Sequence, residues 1–305
     1  QTASIPNFAQ TLWRIWPLKE VSYTTRAPYT FSGTLGSDGS GWGDLLRELA
    51  LLRQNDGSWR YYYGFVRVSY AGGVAGVGYV GFPVAVGWDH TATAPRVMAH
   101  ELGHNFGRDH APCGGVGSSD SSYPYPNGRL GTWGYDPAFH TIYDPNAYYD
   151  LMSYCAPEWV SDYTYEAVQS FLESRPPLAQ SLSPQSLEEG LLFSGFLYPD
   201  EKVEFRPPLR TKARPEGHPS PYRLRADGVE SPVYVLEDSE GTLHFQAWLP
   251  LQAWSRVALY RDGALLEEVR GGLTPLAEPQ VELKEEGGFV RVRWTGYPYL
   301  SLMHV

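Results

Sequence analysis

Three histidines fall within the eleven residues "HELGHNFGRDH", positions 100–110. Apolar residues at Val97, Met98 and Leu102 predict a helix through the first half of this stretch. Positions four apart on a helix share one face, so His100 and His104 can grip one metal ion together. Glu101 lies between them and projects to the side, where a carboxylate reaches a metal-activated water without being a ligand. The chemistry this suits is hydrolysis: zinc lowers the pKa of a water to about 7, and the glutamate takes its proton. A catalytic zinc takes three protein ligands and keeps one position open. Gly107 and His110 answer that need. Glycine adopts the left-handed conformation that ends a helix. A turn at Gly107 folds His110 back to the metal, whereas a continuing helix would swing it away.

Stepping outward, the helix that carries His100 and His104 is expected to start near Thr93, with Thr93 as cap and Pro95 in the first turn. Before it, "DLLRELALLR" (44–53) places Leu45, Leu46, Leu49 and Leu52 on one stripe and predicts an amphipathic helix. "KEVSYTT" (19–25), "RYYYGFVRVSY" (60–70), "VAGVGYVG" (74–81) and "PVAVGW" (83–88) read as strands. "GVGYVG" (76–81) fits a glycine-rich phosphate loop letter for letter, but Pro83 and a strand follow where that motif needs a helix, so it is not read as a nucleotide site. From Gly107 to about Tyr149 the chain is turn chemistry throughout, and a loop that long tends to be functional. "TYEAVQSFLES" (164–174) predicts a closing helix with Tyr165, Val168, Phe171 and Leu172 on one face.

Beyond the proline-rich "RPPLAQSLSP" the texture changes to short alternating runs, with Asp262-Gly263 and Gly287-Gly288 where hairpin turns belong. The expected organisation is a catalytic domain over 1–176, a linker over 177–184, and an all-β, Ig-like sandwich over 185–305. A length of 305 residues suits two domains, and a hydrophobic content of 42% suits sizeable cores. With 24 basic and 34 acidic residues the net charge is −10, and no basic run appears, which argues against nucleic acid. No apolar run is long enough to span a bilayer. The chain begins at Gln1, so any signal or pro-segment is expected upstream. Glycine, tyrosine, proline and tryptophan are plentiful, which leans toward a loop-rich extracellular protein. Cys113 and Cys155 are the two cysteines; they suit one disulfide, two buried thiols or two metal ligands.

"HELGHNFGRDH" resembles H-E-x-x-H-x-x-G-x-x-H, the signature of the metzincin zinc proteases. "DLMSYC" (150–155) is similar to the methionine-bearing turn that lies beneath the zinc in that family, with Met152 supporting the site. The resemblance covers roughly residues 1–176 in order of parts. It implies an α+β domain with a mixed twisted sheet, an active-site helix and a C-terminal helix. It also implies one catalytic Zn2+ on His100, His104 and His110, with Glu101 as general base. Tyr154 stands two residues after Met152, as in astacins and serralysins, where the tyrosine binds the metal or donates to the tetrahedral intermediate. The family's substrate lies extended along an upper edge strand, for which Val74, Gly76, Gly78 and Tyr79 are the candidates; the glycines would admit the substrate backbone. If the segments after His110 and after Met152 meet beneath the zinc, a Cys113–Cys155 disulfide would tie them, in keeping with an oxidising compartment.

The wording of the motif and the appended β domain look most like bacterial secreted metzincins, some of which cut mucin-type glycoproteins. The expected partner is therefore a protein or glycoprotein substrate, and a monomer is favoured. Ala111 follows the third histidine where adamalysins and reprolysins have aspartate, and no serralysin-type calcium repeats follow. Asp120, Asp136 and Asp144 could take Ca2+, but their spacing matches no known loop and solvated turns are the expectation. The alternative function is a glycoprotein- or surface-binding protein with a dormant protease fold; the intact Glu101 argues against it.

Overall fold

A computed structural model describes residues 7–31, 33–69, 73–175, 188–273, 280–286 and 289–295. These fall into two compact units. The first holds residues 7–175 together with Leu197–Lys202 and Leu236–His244, and the second holds 188–196, Val203–Val235 and the described residues from 245 onward. The expected linker at 177–184 and the Gly287-Gly288 turn lie outside the described residues.

The first unit is built around a three-stranded sheet in the order β1-β3-β2, where β1 is Tyr62–Val66, β2 is Gly76–Gly78 and β3 is Val84–Trp88. β1 runs parallel to β3, and β2 runs antiparallel to it. Helix α2 (Trp42–Asn55) packs Leu45, Leu46 and Leu49 into one core with Val77, Tyr79, Val84 and Val86. Helix α3 (Ala94–Asn105) carries the histidines and lays Met98, Leu102 and the following Phe106 into a second core. Its start is where Thr93 and Pro95 place it, but Thr93 makes no capping bond to the helix; its hydroxyl meets His90 instead. Helix α4 (Asp162–Ser174) is capped by Ser161, whose side chain accepts the Thr164 N–H. Val168 is buried on it, whereas Tyr165 faces solvent.

One local expectation is corrected. Residues 19–25 form no strand; they lie mostly exposed with no ladder beside them, and alternation alone does not make a strand. An unforeseen helix, α1 (Phe8–Ile15), buries Leu12 and Ile15 in the α3 core without any side-chain cap to announce it. Between α3 and α4 the chain forms a 3-10 turn at Pro126–Gly128 and two short strand pairs, β4 (Gly134–Asp136) with β5 (Thr141–Tyr143) and β6 (Tyr149–Asp150) with β7 (Glu158–Trp159).

The second unit carries a seven-stranded sheet in the order β14-β13-β10-β11-β12-β8-β9. Its strands are β8 (Gly190–Leu197), β9 (Val203–Thr211), β10 (His218–Ala226), β11 (Val229–Glu237), β12 (Leu243–Pro250), β13 (Trp254–Arg261) and β14 (Ala264–Leu273). The sheet curls so that β9 and β14, at its two ends, come together. β10 shows why these runs pair: Tyr222, Leu224 and Ala226 alternate inward. Asp262 and Gly263, at φ 49° and 86°, make the β13–β14 turn, and Asp227-Gly228 makes the β10–β11 turn in the same conformation. A further antiparallel pair, β15 (Gln280–Glu286) and β16 (Phe289–Thr295), follows. Among the described residues no helix is long and apolar enough to cross a membrane.

Candidate metal centre

The three histidines converge. One ring nitrogen from each of His100, His104 and His110 lies within 4.8 Å of the others, and all three residues are buried. The helix ends as the glycine predicts: Gly107 sits at φ +79°, its N–H bonds His104 O, and the Arg108 N–H reaches back to Gly103 O. These are the two bonds of a Schellman cap, which turns the chain at once. After it, His110 is held in place by its own main chain, whose C=O accepts the Asp120 N–H at 2.8 Å. An Arg108–Asp120 ion pair at 2.8 Å closes the same loop.

Each histidine has its Nδ1 on a main-chain carbonyl: His100 on Leu151 O at 2.7 Å, His104 on Arg108 O at 2.6 Å and His110 on Ser118 O at 3.0 Å. A carbonyl only accepts, so each Nδ1 carries the proton and each Nε2 presents a lone pair. The Nε2 atoms of His100 and His104 stand 3.1 Å apart. Two lone pairs facing at that distance repel unless a cation lies against them. Burial holds the imidazoles neutral, pushing His100 down to about 3 and His104 well below its ordinary value. Neutral nitrogens on a fixed tautomer are the state in which imidazole binds a metal. The donor set therefore fits one cation.

Glu101 stands beside them, 5% exposed, and its Oε2 has no partner. Burial first, and the carboxylates of Glu240 and Asp238 second, push its carboxyl well above the usual range. A cation on the histidines would oppose that shift. Room for Glu101 comes from Gly76: a Cβ there would lie 2.6 Å from Glu101 Oε1, and one on Gly78 would lie 2.8 Å from Glu101 O. The glycines of β2 thus admit the helix that carries the histidines. Val74 precedes β2, with its N–H on Ser37 O, and Tyr79 follows it, fully buried. Asn105 completes the helix–sheet joint by donating to Tyr79 O and Val84 O at 2.9 and 3.0 Å.

The segment "DLMSYC" forms the other half of the site. Met152 is 1% exposed beneath α3, and Gly103 makes space for it, since a Cβ there would lie 2.4 Å from its Sδ. Leu151 O is the acceptor that orients His100, and Met152 O accepts the Ala111 N–H at 3.0 Å. Cys113 and Cys155 are disulfide-bonded, with Cα atoms 5.7 Å apart, beside a Tyr154 N–H bond to Cys113 O. The ring of Tyr154 lies 4.9 Å from that of His110, and its hydroxyl donates to Glu240 Oε1 at 2.9 Å. One residue unmarked in the sequence shapes this turn. Asp150, fully buried, accepts the N–H groups of Met152 and Ser161 at 2.7 and 2.9 Å.

The aspartates considered for calcium are engaged elsewhere. Asp120 pairs with Arg108 and accepts Tyr163 Oη, Asp136 pairs with Arg14, and Asp144 accepts the Asn146 N–H in a turn. Among the described residues His100, His104 and His110 are the group whose side chains converge as metal ligands do. No curated protein and no solved structure matches the chain. Residues 65–173, which run from β1 through the histidines and the Met152 segment into α4, match the family model described as Peptidase M66, and this supports a metallopeptidase family.

Proposed function

We propose that the chain is a secreted zinc-dependent endopeptidase of metzincin type, with Met152 in the methionine turn and the second unit as an accessory β domain. The observation that carries this is the pairing of three Nδ1-anchored histidines, their Nε2 atoms converging, with a buried carboxylate whose Oε2 is unpaired. The disulfide suits an extracellular compartment.

When bound, zinc supplies a Lewis acid that acidifies a water and polarises a peptide carbonyl. The chain's own residues do the rest. Glu101, held in a dry site by Gly76 and Gly78, takes the proton of the attacking water and delivers it to the leaving amine. Tyr154, half exposed beside His110, turns its hydroxyl toward the developing oxyanion. The outward main-chain groups at the Gly76 end of β2 are offered to an extended protein or glycoprotein substrate.

The test is metal content by mass spectrometry together with digestion of an unfolded protein, with and without chelator. The parent is expected to hold one zinc per chain and to lose cleavage to the chelator. Glu101→Ala is expected to keep the zinc while cleavage falls at least about a hundredfold. A Glu101→Ala variant that cuts as fast as the parent would refute the mechanism.

A further inference from the structure

The turn between β11 and β12, Leu236–His244, belongs to the first unit. Its main chain runs antiparallel to the end of β2. Tyr79 pairs with Asp238, the Ser239 N–H donates to Gly78 O at 2.9 Å, and the Val80 N–H donates to Glu237 O at 2.9 Å. Along β2 the main-chain groups of Val77 and Tyr79 face β3, so those of Gly76, Gly78 and Val80 face outward. The turn therefore covers the outward groups at Gly78 and Val80, and an extended peptide is left the Gly76 end.

This turn is a fixed wall. Leu236 lies in the core with Val77 and Tyr79. Tyr79 Oη meets His244 Nδ1 at 2.8 Å, and His244 Nε2 meets Asp238 Oδ2 at 2.9 Å, all three residues being buried. Asp238 Oδ1 accepts the N–H groups of Glu240 and Thr242. The carboxylate of Asp238 is thus consumed in holding the turn's shape. Of the turn's other two carboxylates, Glu237 and Glu240, it is Glu240 that reaches the metal-centre segments: it is exposed, its Oε1 accepts the Tyr154 hydroxyl, and its Oε2 lies near Gly117 in the loop after His110. Among the described residues no basic side chain pairs with Glu240.

We infer that Glu240 determines specificity at the peptidase site proposed above, selecting substrates with a lysine or arginine side chain next to the scissile bond. The inference rests on that function. A peptide paired with β2 beside Gly76 runs into the turn, and the side chain it presents there meets a carboxylate that lacks a cationic partner. The companion carboxylate, Asp238, is already engaged.

Two observations test it, a cleavage-site profile of the parent on a peptide library and kcat/KM for matched peptides with Lys or Gln at the preferred position. The parent is expected to favour Lys and Arg at one position flanking the cut. Glu240→Gln keeps an oxygen acceptor for Tyr154 but removes a charge near Glu101, so the readout is the ratio of two peptides within one variant, in which a change in the common rate cancels: the Lys-over-Gln preference falls about fivefold. Glu240→Lys is expected to turn the preference toward Glu at that position. A parent that cleaves without charge preference, or a preference that both variants retain, overturns the inference and leaves the peptidase function standing. A parent that cleaves no peptide overturns both.

Discussion

Replacing both Cys113 and Cys155 by serine tests how the two halves of the metal centre are joined. The bridge closes a loop of 42 residues in sequence separation. Releasing a loop of that length returns chain entropy to the unfolded state worth about 4 kcal/mol at 25 °C. The folded state keeps other ties between the same segments: Ala111 N–H to Met152 O, and Tyr154 N–H to Cys113 O. The loss is therefore expected to act mainly on the unfolded chain, near its full size. Urea unfolding of metal-free protein isolates it, because bound zinc would add its own linkage. The midpoint should fall, and the slope should rise because the uncrosslinked unfolded chain exposes more surface. For a unit of this size the melting temperature should drop by about 8–16 °C. The zinc stoichiometry should stay near one per chain. A stability loss under about 1 kcal/mol, or complete loss of metal binding, would refute the reasoning.

Two further substitutions probe the same centre. Gly107→Ala puts a side chain at φ +79°, with its Cβ 3.2 Å from the ring of Phe171; the cost should be about 1–2 kcal/mol, and zinc affinity in a chelator competition should fall about tenfold or more as His110 shifts. Asp150→Ala strips the acceptor from the N–H groups of Met152 and Ser161; unfolding in urea should show a loss of about 2–4 kcal/mol, with Asp150→Asn, which keeps one acceptor, losing less.

The three converging histidines were legible because they are local. His100 and His104 follow from the helical period, and His110 from a glycine whose left-handed turn the structure shows at φ +79°. Met152 and Tyr154, and with them the pairing of Cys113 with Cys155, were reachable through the resemblance to a known family and not through local pattern. What escaped the sequence is what depends on distant chain. Glu240 meets Tyr154 across 86 positions, and His244 meets Tyr79 across 165. Nothing local marks either pair. Asp150 passed unnoticed because its work is done on main-chain N–H groups, which leave no pattern of residue types. The close approach of Glu101 to the glycines of β2 was not foreseen, since a strand's alternation does not say which face a helix will cover. The segment at 19–25 has the alternation of a strand without a partner, and α1 is a helix too short to carry its own end signals.

The carbonyls that anchor the three imidazoles belong to Leu151, Arg108 and Ser118, and they come from the path of the chain rather than from its side chains. No exchange of side chain at those three positions can delete the acceptors. Mutational drift there is buffered so long as the turns keep their course, and the donor strength of the histidines is not open to tuning by swapping an acid for an amide. Tuning the three imidazoles through their Nδ1 partners, with the histidines themselves kept, means bending the backbone, and Gly107 and the 150–155 turn are where it can be bent.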